Sequence, residues 1–292
     1  MEQHRERFVW PPVQTDADAE AASISRPLPQ PRVPVRSTAS APGFRTRARA
    51  AILEIERAWL GLETPPLKDR MADEGWSPDP VDAYCRRCGS TVGLHEADDT
   101  GCSHCRGVNL PWDRIVRLGP YAGVLRRMVL EVKFTRWRRL GHDLGLMLGR
   151  SLLEVMEAEK RSLDRVIVVP IPVSTRRRLA RGIDHALVIA RGVAAELKVP
   201  VVRALSRKHG PSQARVPGRL RARNVEGVIR PRIDVSGWDV ILIDDVTTTR
   251  ATLRAGCRGL RSGCKSLGDM DEGAIWTAVL GVTPAPGGGK GK

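Results

Sequence analysis

The chain has 292 residues, a formal net charge of +15 and an aromatic content of only 4%. Its length allows one domain of catalytic size with appended segments, and 28 glycines with 21 prolines predict many loops and tails. No apolar run approaches the roughly 18 residues of a membrane-spanning helix, so we expect no membrane partner. The excess of arginine and lysine lies after residue 80. It favours phosphate ligands or nucleic acid as partners, unless it reflects only a general arginine bias of the proteome.

Residues 1–81 are predicted to form a disordered or low-complexity N-terminal extension, because prolines interrupt them and Ala, Ser and Arg fill the gaps. Within this extension, residues 50–62 have the pattern of a short helix, and residues 63–81 are linker-like. The N-terminal residues lack the apolar core of a secretory signal. Together with the thiols described next, this predicts a cytoplasmic, reducing location.

Residues 82–112 form a predicted cysteine module with two Cys-x-x-Cys pairs. Its four thiols belong to Cys85, Cys88, Cys102 and Cys105. Each pair can chelate from a tight turn, and four thiolates complete a tetrahedral zinc shell that leaves no position for a substrate. We therefore predict a structural zinc knuckle whose metal supplies folding energy; fortuitous cysteines and a redox pair are the alternatives. Zinc knuckles also bind nucleic acid, and four basic residues near these cysteines leave that contact open: Arg86, Arg87, Arg106 and Arg114.

Residues 113–283 alternate helical and short apolar patterns, as expected for βαβ units in an α/β domain. The predicted helices are 122–134, 141–160, 184–197 and 251–262. The predicted strands are 165–169, 199–203, 239–243, 265–267 and 274–280. A long basic segment, residues 206–232, interrupts the pattern, and residues 284–292 form a flexible tail.

The most informative stretch runs from Val240 to Thr252. Its apolar start has the pattern of a buried parallel strand and leads into two adjacent carboxylates, Asp244 and Asp245. Hydroxyl residues follow, and then an amphipathic helix begins; the hydroxyls belong to Thr247, Thr248, Thr249 and Thr252. Ligands of open α/β sheets bind outside the carboxyl ends of strands, and a helix N-terminus there favours anions. The layout predicts a site for a phosphorylated sugar, with the carboxylates on ribose hydroxyls or, through water, on a metal; an ordinary strand–turn–helix is the alternative.

A cationic stretch follows the predicted strand 165–169. Four arginines lie at what should be the carboxyl end of that strand: Arg176, Arg177, Arg178 and Arg181. Guanidinium groups match phosphate geometry bidentately. This cluster and the hydroxyl loop would therefore suit a ligand with phosphates at both ends, and a solvated basic loop is the alternative.

Residues 240–252 resemble the 5-phosphoribosyl-1-diphosphate (PRPP) motif of type I phosphoribosyltransferases. The resemblance implies that Asp244 and Asp245 contact the ribose 2′ and 3′ hydroxyls. It also implies that a threonine loop wraps the 5′-phosphate, formed by Thr247, Thr248, Thr249, Arg250, Ala251 and Thr252. The family usually has Thr-Thr-Gly-Ala-Thr, and this chain has Arg250 at the glycine position. Glycine allows a backbone geometry or a close approach to phosphate that arginine disfavours, so either Arg250 reaches the phosphate with its guanidinium, or the loop is altered and binding is weaker.

Over residues 82–281 the resemblance narrows to ComF-type proteins. The matching parts are the cysteine module, Tyr121–Phe134, Pro170–Pro172 with Arg181-Gly182, Gln213 with Arg221 and Asn224, and the Asp-Asp motif. Ile183-Asp184-His185 replaces the family's Phe-Asn-Gln. The resemblance implies a type I phosphoribosyltransferase fold, a parallel sheet flanked by helices. It also implies a pyrophosphate loop at Pro172–Arg178 and a closing lid at Ser206–Val228, for which an inert surface loop is the alternative.

The reaction that this resemblance implies is displacement of pyrophosphate from C1 of the ribose of PRPP by an unknown acceptor. Mg²⁺ and the arginines would stabilise the leaving group. No strong general base is evident; His185, His209 and Asp245 are weak candidates. The rival prediction is a non-catalytic protein of the same fold that assists DNA uptake or binds single-stranded DNA or another nucleic acid. The sequence leaves the acceptor and the oligomeric state open.

Overall fold

The computed structural model describes residues 66–93, 95–134, 138–173, 183–207, 229–264 and 273–284. Several predicted features lie outside these ranges: the four-arginine cluster, most of the lid segment, the strand at 265–267, the short helix at 50–62 and the tail. What the sequence predicts for those segments stays a prediction.

The described elements follow one another as in a βαβ protein. The helices are α1 (Leu67–Asp73), α2 (Gly123–Phe134), α3 (Arg138–Ala158), α4 (His185–Leu197) and α5 (Ala251–Gly263). The strands are β1 (Ala97–Asp98), β2 (Gly101–Cys102), β3 (Arg114–Pro120), β4 (Val166–Pro170), β5 (Leu205–Arg207), β6 (Ile229–Pro231), β7 (Asp239–Thr247) and β8 (Ile275–Val282). A 3₁₀ turn spans Val81–Ala83.

A parallel sheet of four strands, in the order β3-β8-β7-β4, forms the centre of the described structure. Successive strand residues face opposite sides, and both sides are buried. Ile241 and Ile243 pack in the core formed with α2, α3 and α4, whereas Val240 and Leu242 pack with α5 and the cysteine module. Burial on both faces explains the continuous apolar runs. The predicted fold class, a parallel sheet flanked by helices with an N-terminal cysteine module, is confirmed.

The sequence pattern does not predict β3, because Arg114 and Arg117 interrupt its apolar residues. Arg117 is nevertheless only 1% exposed. Its guanidinium donates hydrogen bonds to Asp79 Oδ2 at 2.6 Å and Thr91 Oγ1 at 2.9 Å, and it lies 5.0 Å from the centroid of the Tyr84 ring. A buried charge is tolerated when it is paired and hydrogen-bonded. This one fastens the edge strand β3 to the start of the cysteine module.

The linker-like prediction for residues 63–81 is wrong where the structure describes them, because α1 lies there. Leu67 is buried, and Arg70 forms an ion pair with Glu131 of α2 at 2.7 Å. Helices this short are not stable alone in water. Contacts with α2 and the core, rather than local sequence, therefore determine this helix.

The helices predicted from 122 onward, and the strands at 165–169, 239–243 and 274–280, are confirmed with shifted ends. The predicted strand 199–203 reduces to one parallel bridge between Val201 and Val168 of β4; its neighbour Pro200 has no N–H to extend a ladder. The antiparallel strands β5 and β6 lie at the two ends of the long basic segment. The sequence predicts loop at both places. No described helix has the length and apolarity to cross a bilayer.

Candidate functional site

Asp244 and Asp245 lie near the carboxyl end of β7, a central strand of the sheet. The neighbouring strand β4 ends beside them, since Pro170 pairs with Ile243. The amide of Ile171 then donates to the Ile243 carbonyl at 2.8 Å. The segment that leads toward the arginine cluster therefore starts next to the carboxylates, at the edge where ligands of parallel sheets bind.

Backbone amides hold one oxygen of each carboxylate. Asp244 Oδ1 accepts a hydrogen bond from the Asp245 amide at 2.9 Å, and Asp245 Oδ1 accepts one from the Val246 amide at 2.6 Å. Both bonds are local and use only Oδ1. They fix the two side chains at the end of the strand and leave Oδ2 of each carboxylate to groups from other elements.

Desolvation by burial raises the pKa of Asp244 from 3.8 to about 7, and the negative charge of Asp245 adds to the rise. The amide of Asp245 and the charges of Lys133 and Arg207 act in the opposite direction. The Asp244 side chain keeps some exposed surface, so dense protein around the carboxylate, rather than complete enclosure, desolvates it. Carboxylates perturbed in this way are typical of functional sites, although structural ion-pair networks also produce them.

Lys133 of α2 brings an ammonium group to the carboxylates. Its Nζ lies 3.0 Å from Asp245 Oδ2 and 5.8 Å from the centroid of the Tyr121 ring. The side chains of Lys133 and Asp245 are only 16% and 18% exposed. Water and salt therefore screen this ion pair less than a surface pair.

The predicted threonine loop joins β7 to α5. Thr247 is buried, and its carbonyl accepts a hydrogen bond from the Thr283 amide at 2.9 Å, whereas Thr248 and Thr249 are exposed. Arg250 is the N-cap residue of α5, and its side chain makes no capping hydrogen bond to the helix. The first amides of α5 thus receive no acceptor from their N-cap residue. An uncapped helix start at this edge of a sheet is suited to an anion.

Arg250 keeps the backbone of the glycine that it replaces in the motif. Its φ is 63° and its ψ is 5°, a left-handed conformation that glycine adopts freely and that costs an arginine roughly 1–2 kcal/mol. Its Nε donates to the Cys88 carbonyl at 2.9 Å, and its Nη2 donates to Ser90 Oγ at 3.0 Å. These two hydrogen bonds connect the guanidinium to the cysteine module. A contact between Arg250 and phosphate stays a prediction.

The four predicted zinc ligands form one buried cluster. Their sulfur atoms lie 3.6 Å apart for Cys85 and Cys105, 3.5 Å for Cys88 and Cys102, and 3.9 Å for Cys102 and Cys105. Four sulfurs at about 2.3 Å from a tetrahedral zinc are about 3.8 Å from one another, so the cage fits this ion. A disulfide requires about 2.05 Å, and all four thiols are free. Within the described ranges, this is the one group of three or more His, Cys, Asp or Glu side chains that could hold a metal.

Hydrogen bonds within the cluster shift the pKa values of two of its thiols in opposite directions. The bond to Cys88 raises the pKa of Cys85 to about 12, and the same bond lowers the pKa of Cys88. The Ser90 hydroxyl and the charge of Arg250 lower the pKa of Cys88 further. The surroundings of Cys88 thus favour its thiolate, the form that binds metal.

The first turn of the module, residues 85–89, is fastened to the sheet. Gly89 has a φ of 73°, and a Cβ there would lie 2.9 Å from a methyl group of Val282 in β8. Glycine is therefore required both for the turn and for the close approach. The indole of Trp112 donates to the Arg87 carbonyl at 2.8 Å. The turn is consequently held against the strands that carry the candidate site.

The arginines of the cysteine module have partners within the chain. Arg86 pairs with Asp99 at 3.0 Å, and Arg106 pairs with Asp98 at 2.7 Å. The remaining two are engaged as well: Arg87 with the Thr100 and Val108 carbonyls, and Arg114 with Glu159. Exposed ion pairs are weak. They reduce the positive charge that this surface presents to nucleic acid without removing it.

Known proteins resemble this chain over more than half of its length. It is 28% identical over 181 residues to the DNA utilization protein YhgH of Salmonella typhi, which covers 59% of this chain and 74% of that protein. It is 29% identical over 163 residues to the DNA utilization protein YhgH of Escherichia coli K12, with coverage of 52% and 67%. It is 24% identical over 198 residues to Competence protein F of Haemophilus influenzae, with coverage of 66% and 82%. No protein-family model matches the chain.

These relatives agree with the resemblance carried by the cysteine module and the β7 motif. The chain is similar to proteins of the ComF family. The structure brings the predicted carboxylates and threonine loop together at one edge of the sheet. It leaves the predicted contacts of Arg176, Arg177, Arg178 and Arg181 outside the described residues.

Three residues near this site have no role that the sequence predicts. In the sequence, Lys133 appears only within a segment of family resemblance, because its contact with Asp245 depends on how α2 crosses the sheet. Arg207 acts on Asp244 through its charge, and no local pattern marks it. Ser90 looks like an ordinary turn residue, and only the tertiary structure brings it to Arg250.

Proposed function

We propose that this ComF-family chain binds PRPP at the carboxyl edge of its sheet and transfers the phosphoribosyl group to an acceptor. The main support is one strand–turn–helix that carries Asp244, Asp245 and the uncapped start of α5. Carboxylates accept hydrogen bonds from ribose hydroxyls, and helix amides with threonine hydroxyls donate to a phosphate. Such a site would hold the ribose hydroxyls and the 5′-phosphate of PRPP, which belong to the same ribose unit.

In the proposed reaction, the acceptor's lone pair attacks C1 of the ribose as the bond from C1 to the pyrophosphate oxygen breaks. The electron pair of that bond leaves with pyrophosphate. Asp244 and Asp245 hold the ribose, and Lys133 holds Asp245 in position. The arginines of the predicted pyrophosphate loop would neutralise the leaving group.

Mg²⁺ would enter this site together with PRPP. Its usual protein environment is one or two carboxylates with the remaining positions filled by water and substrate phosphates. Asp244 and Asp245 can supply these carboxylates. Among the described residues, no group of three or more acidic side chains could hold the ion instead. When bound, the ion would neutralise charge on the pyrophosphate.

We further propose that zinc is the metal of the Cys85, Cys88, Cys102 and Cys105 cluster and that its role is structural. A closed shell of four thiolates leaves no coordination position for a substrate. Such thiolates persist in a reducing compartment, which is the basis for proposing a cytoplasmic location.

Calorimetric titration of PRPP, with and without Mg²⁺, tests the proposed function on the double variant Asp244→Asn with Asp245→Asn. Each lost charge-assisted hydrogen bond contributes about 1.5–3 kcal/mol, and about 1.4 kcal/mol corresponds to one decade in affinity. We expect the affinity for PRPP to fall at least about tenfold.

The variant Asp164→Asn is a matched control for the loss of an acidic charge. Asp164 is exposed and precedes β4, at the amino edge of the sheet. It should bind PRPP as the parent chain does. An unchanged affinity in the double variant would contradict the site assignment.

A role in DNA handling is the second candidate function. Relatives bear the names DNA utilization protein and Competence protein F, and the net charge of +15 favours a polyanion. On this alternative the chain keeps the fold, and its basic segments contact a nucleic-acid backbone instead of a pyrophosphate group.

A further inference from the structure

Arg250 links the threonine loop to the cysteine module. Its two hydrogen-bond partners there lie 162 and 160 residues away in the chain. At one end, its guanidinium binds the first turn of the cysteine module through the Cys88 carbonyl and the Ser90 hydroxyl. Ser90 is 4% exposed, and its hydroxyl also contacts Cys88 Sγ at 3.3 Å. The arginine therefore contacts the residue that supplies one of the four sulfurs and the side chain that supports that sulfur.

At the other end, the backbone of Arg250 is the middle of the threonine loop. It lies between Thr249 and Ala251, and its carbonyl accepts the first hydrogen bond of α5, from Arg254 at 3.0 Å. The left-handed conformation is disfavoured for an arginine, so contacts elsewhere must maintain it. The two hydrogen bonds to the cysteine module are contacts of this kind.

We propose that Arg250 is a positioning residue that couples metal occupancy of the four-cysteine cluster to the conformation of the threonine loop. This inference rests on the proposed function, since it assigns the loop to the 5′-phosphate of PRPP. A metal on the four sulfurs fixes the turn that contains Cys88. The planar guanidinium, bound to that turn at two points, then holds the loop backbone. A glycine at this position would adopt the same backbone conformation without strain but would make no such connection.

Coupling of this kind is reciprocal. If metal in the cluster strengthens PRPP binding, PRPP must strengthen metal binding by the same factor, which is commonly 5–150-fold. The inference can therefore be tested on the metal, without any measurement of catalysis. The readout is the equilibrium affinity of the full chain for zinc, measured by competition with a chromogenic chelator.

The variants separate backbone conformation from hydrogen bonding. Arg250→Gly keeps the left-handed backbone and removes the guanidinium. Ser90→Ala removes one acceptor of that guanidinium and leaves the loop sequence intact. Arg191→Ala is the matched control, since Arg191 is an exposed residue of α4, on the opposite face of the sheet. It removes an arginine without touching the cysteine module.

In the parent chain, saturating PRPP should raise the zinc affinity at least about fivefold. Arg191→Ala should show the same ratio of zinc affinities with and without PRPP. In Arg250→Gly this ratio should fall to near one, and the zinc affinity without PRPP should be lower than in the parent. Ser90→Ala should give an intermediate ratio, because Arg250 keeps its bond to the Cys88 carbonyl.

Calorimetry of PRPP binding to the same zinc-loaded proteins separates the two ways in which the idea can fail. If the parent chain binds PRPP and Arg250→Gly keeps the full rise in zinc affinity, the coupling through Arg250 is refuted while the proposed function stands. If the parent chain does not bind PRPP at all, the proposed function fails, and the coupling to PRPP fails with it.

Discussion

Asp244 combines a raised pKa with a position that ligand binding would use. Its carboxyl group has a pKa of about 7 in the folded chain against 3.8 without the fold. The folded state therefore holds a proton that the unfolded state has already lost between these values. The contribution of Asp244 to the free energy of unfolding is therefore fully present below about pH 4. This contribution is lost as the pH rises through 7. Such a residue is retained at a cost in stability, which is common at functional sites.

The variant Asp244→Asn should consequently be more stable than the parent chain at pH 8, and its advantage should shrink as the pH falls toward 4. The amide cannot ionise, so it avoids the desolvation of a carboxylate. Each kcal/mol gained corresponds to about 2–4 °C in Tm for a chain of this size, and we expect an increase of a few degrees. Thermal unfolding followed by circular dichroism across this pH range measures it. A difference in Tm that does not vary with pH would contradict the raised pKa.

Lys133 gives a second prediction for a single residue. Its charge lowers the pKa of Asp244 and pairs directly with Asp245. Lys133→Met keeps most of the side-chain length but removes the charge, so Asp244 should titrate above about pH 7. The pH at which PRPP affinity reaches half its maximum should rise accordingly. The lost partner of Asp245 should also destabilise the chain by about 1–3 kcal/mol.

Lys68→Met provides the control for Lys133, because Lys68 is an exposed residue of α1. It should change neither the pH dependence of PRPP binding nor the Tm beyond about 0.5 kcal/mol of stability, which is usual for surface substitutions. A titration of Asp244 that is the same in the parent chain and in Lys133→Met would argue against an electrostatic role for Lys133.

Among the larger elements, the cysteine module has the sharpest prediction. The purified chain should contain one zinc, and Cys102→Ser should lose it, because three thiolates leave the tetrahedral shell incomplete. Since metal binding stabilises the fold, the variant's Tm should fall by about 2–4 °C for each kcal/mol of metal-linked stability. Metal analysis and thermal unfolding test both expectations.

Cys264→Ser is the matched control for the metal prediction, since Cys264 lies at the end of α5 and outside the cluster. It should retain the metal. Zinc well below one equivalent in the parent chain, with the four module thiols freely titratable, would refute the zinc assignment.

The elements predicted well from the sequence are those whose local pattern matches their environment. β7 and β4 are continuous apolar runs because both faces of the sheet are covered, and α5 follows a recognisable motif. α1 and β3 depend on partners far away in the chain. Arg70 of α1 needs Glu131, and Arg117 of β3 needs Asp79. A pattern of residues does not reveal such pairings, so both elements escape prediction.

The same distinction applies to the candidate site. Asp244, Asp245 and the four cysteines are adjacent or regularly spaced, so the sequence pattern alone marks them as candidates. Lys133 and Ser90 reach the site only because the sheet brings α2 and the first cysteine turn to the end of β7. The motif has a glycine at this position, so it likewise does not predict where the Arg250 side chain lies.

At the scale of the whole molecule, two ligands compete as explanations for the positive charge. Arg86 and Arg106 of the cysteine module are paired with Asp99 and Asp98, which offsets part of the positive charge of this module. The carboxyl edge of the sheet, in contrast, combines carboxylates with an anion-binding helix start. This contrast favours a small phosphorylated ligand over a nucleic-acid backbone as the principal partner.

Single-stranded DNA should therefore bind weakly, and PRPP should displace it. Backbone binding releases counterions, so the logarithm of DNA affinity falls with the logarithm of salt concentration, with a slope of about −0.7 per neutralised phosphate. Fluorescence anisotropy of a labelled oligonucleotide, measured across a salt series with and without PRPP, gives both the slope and the competition. Arg86→Gln with Arg106→Gln should lower the DNA affinity only modestly, since their acidic partners already offset part of their charge. Tight DNA binding that PRPP does not disturb, together with no pyrophosphate release from PRPP across a panel of nucleobases and amines, would reverse the preference and favour DNA handling.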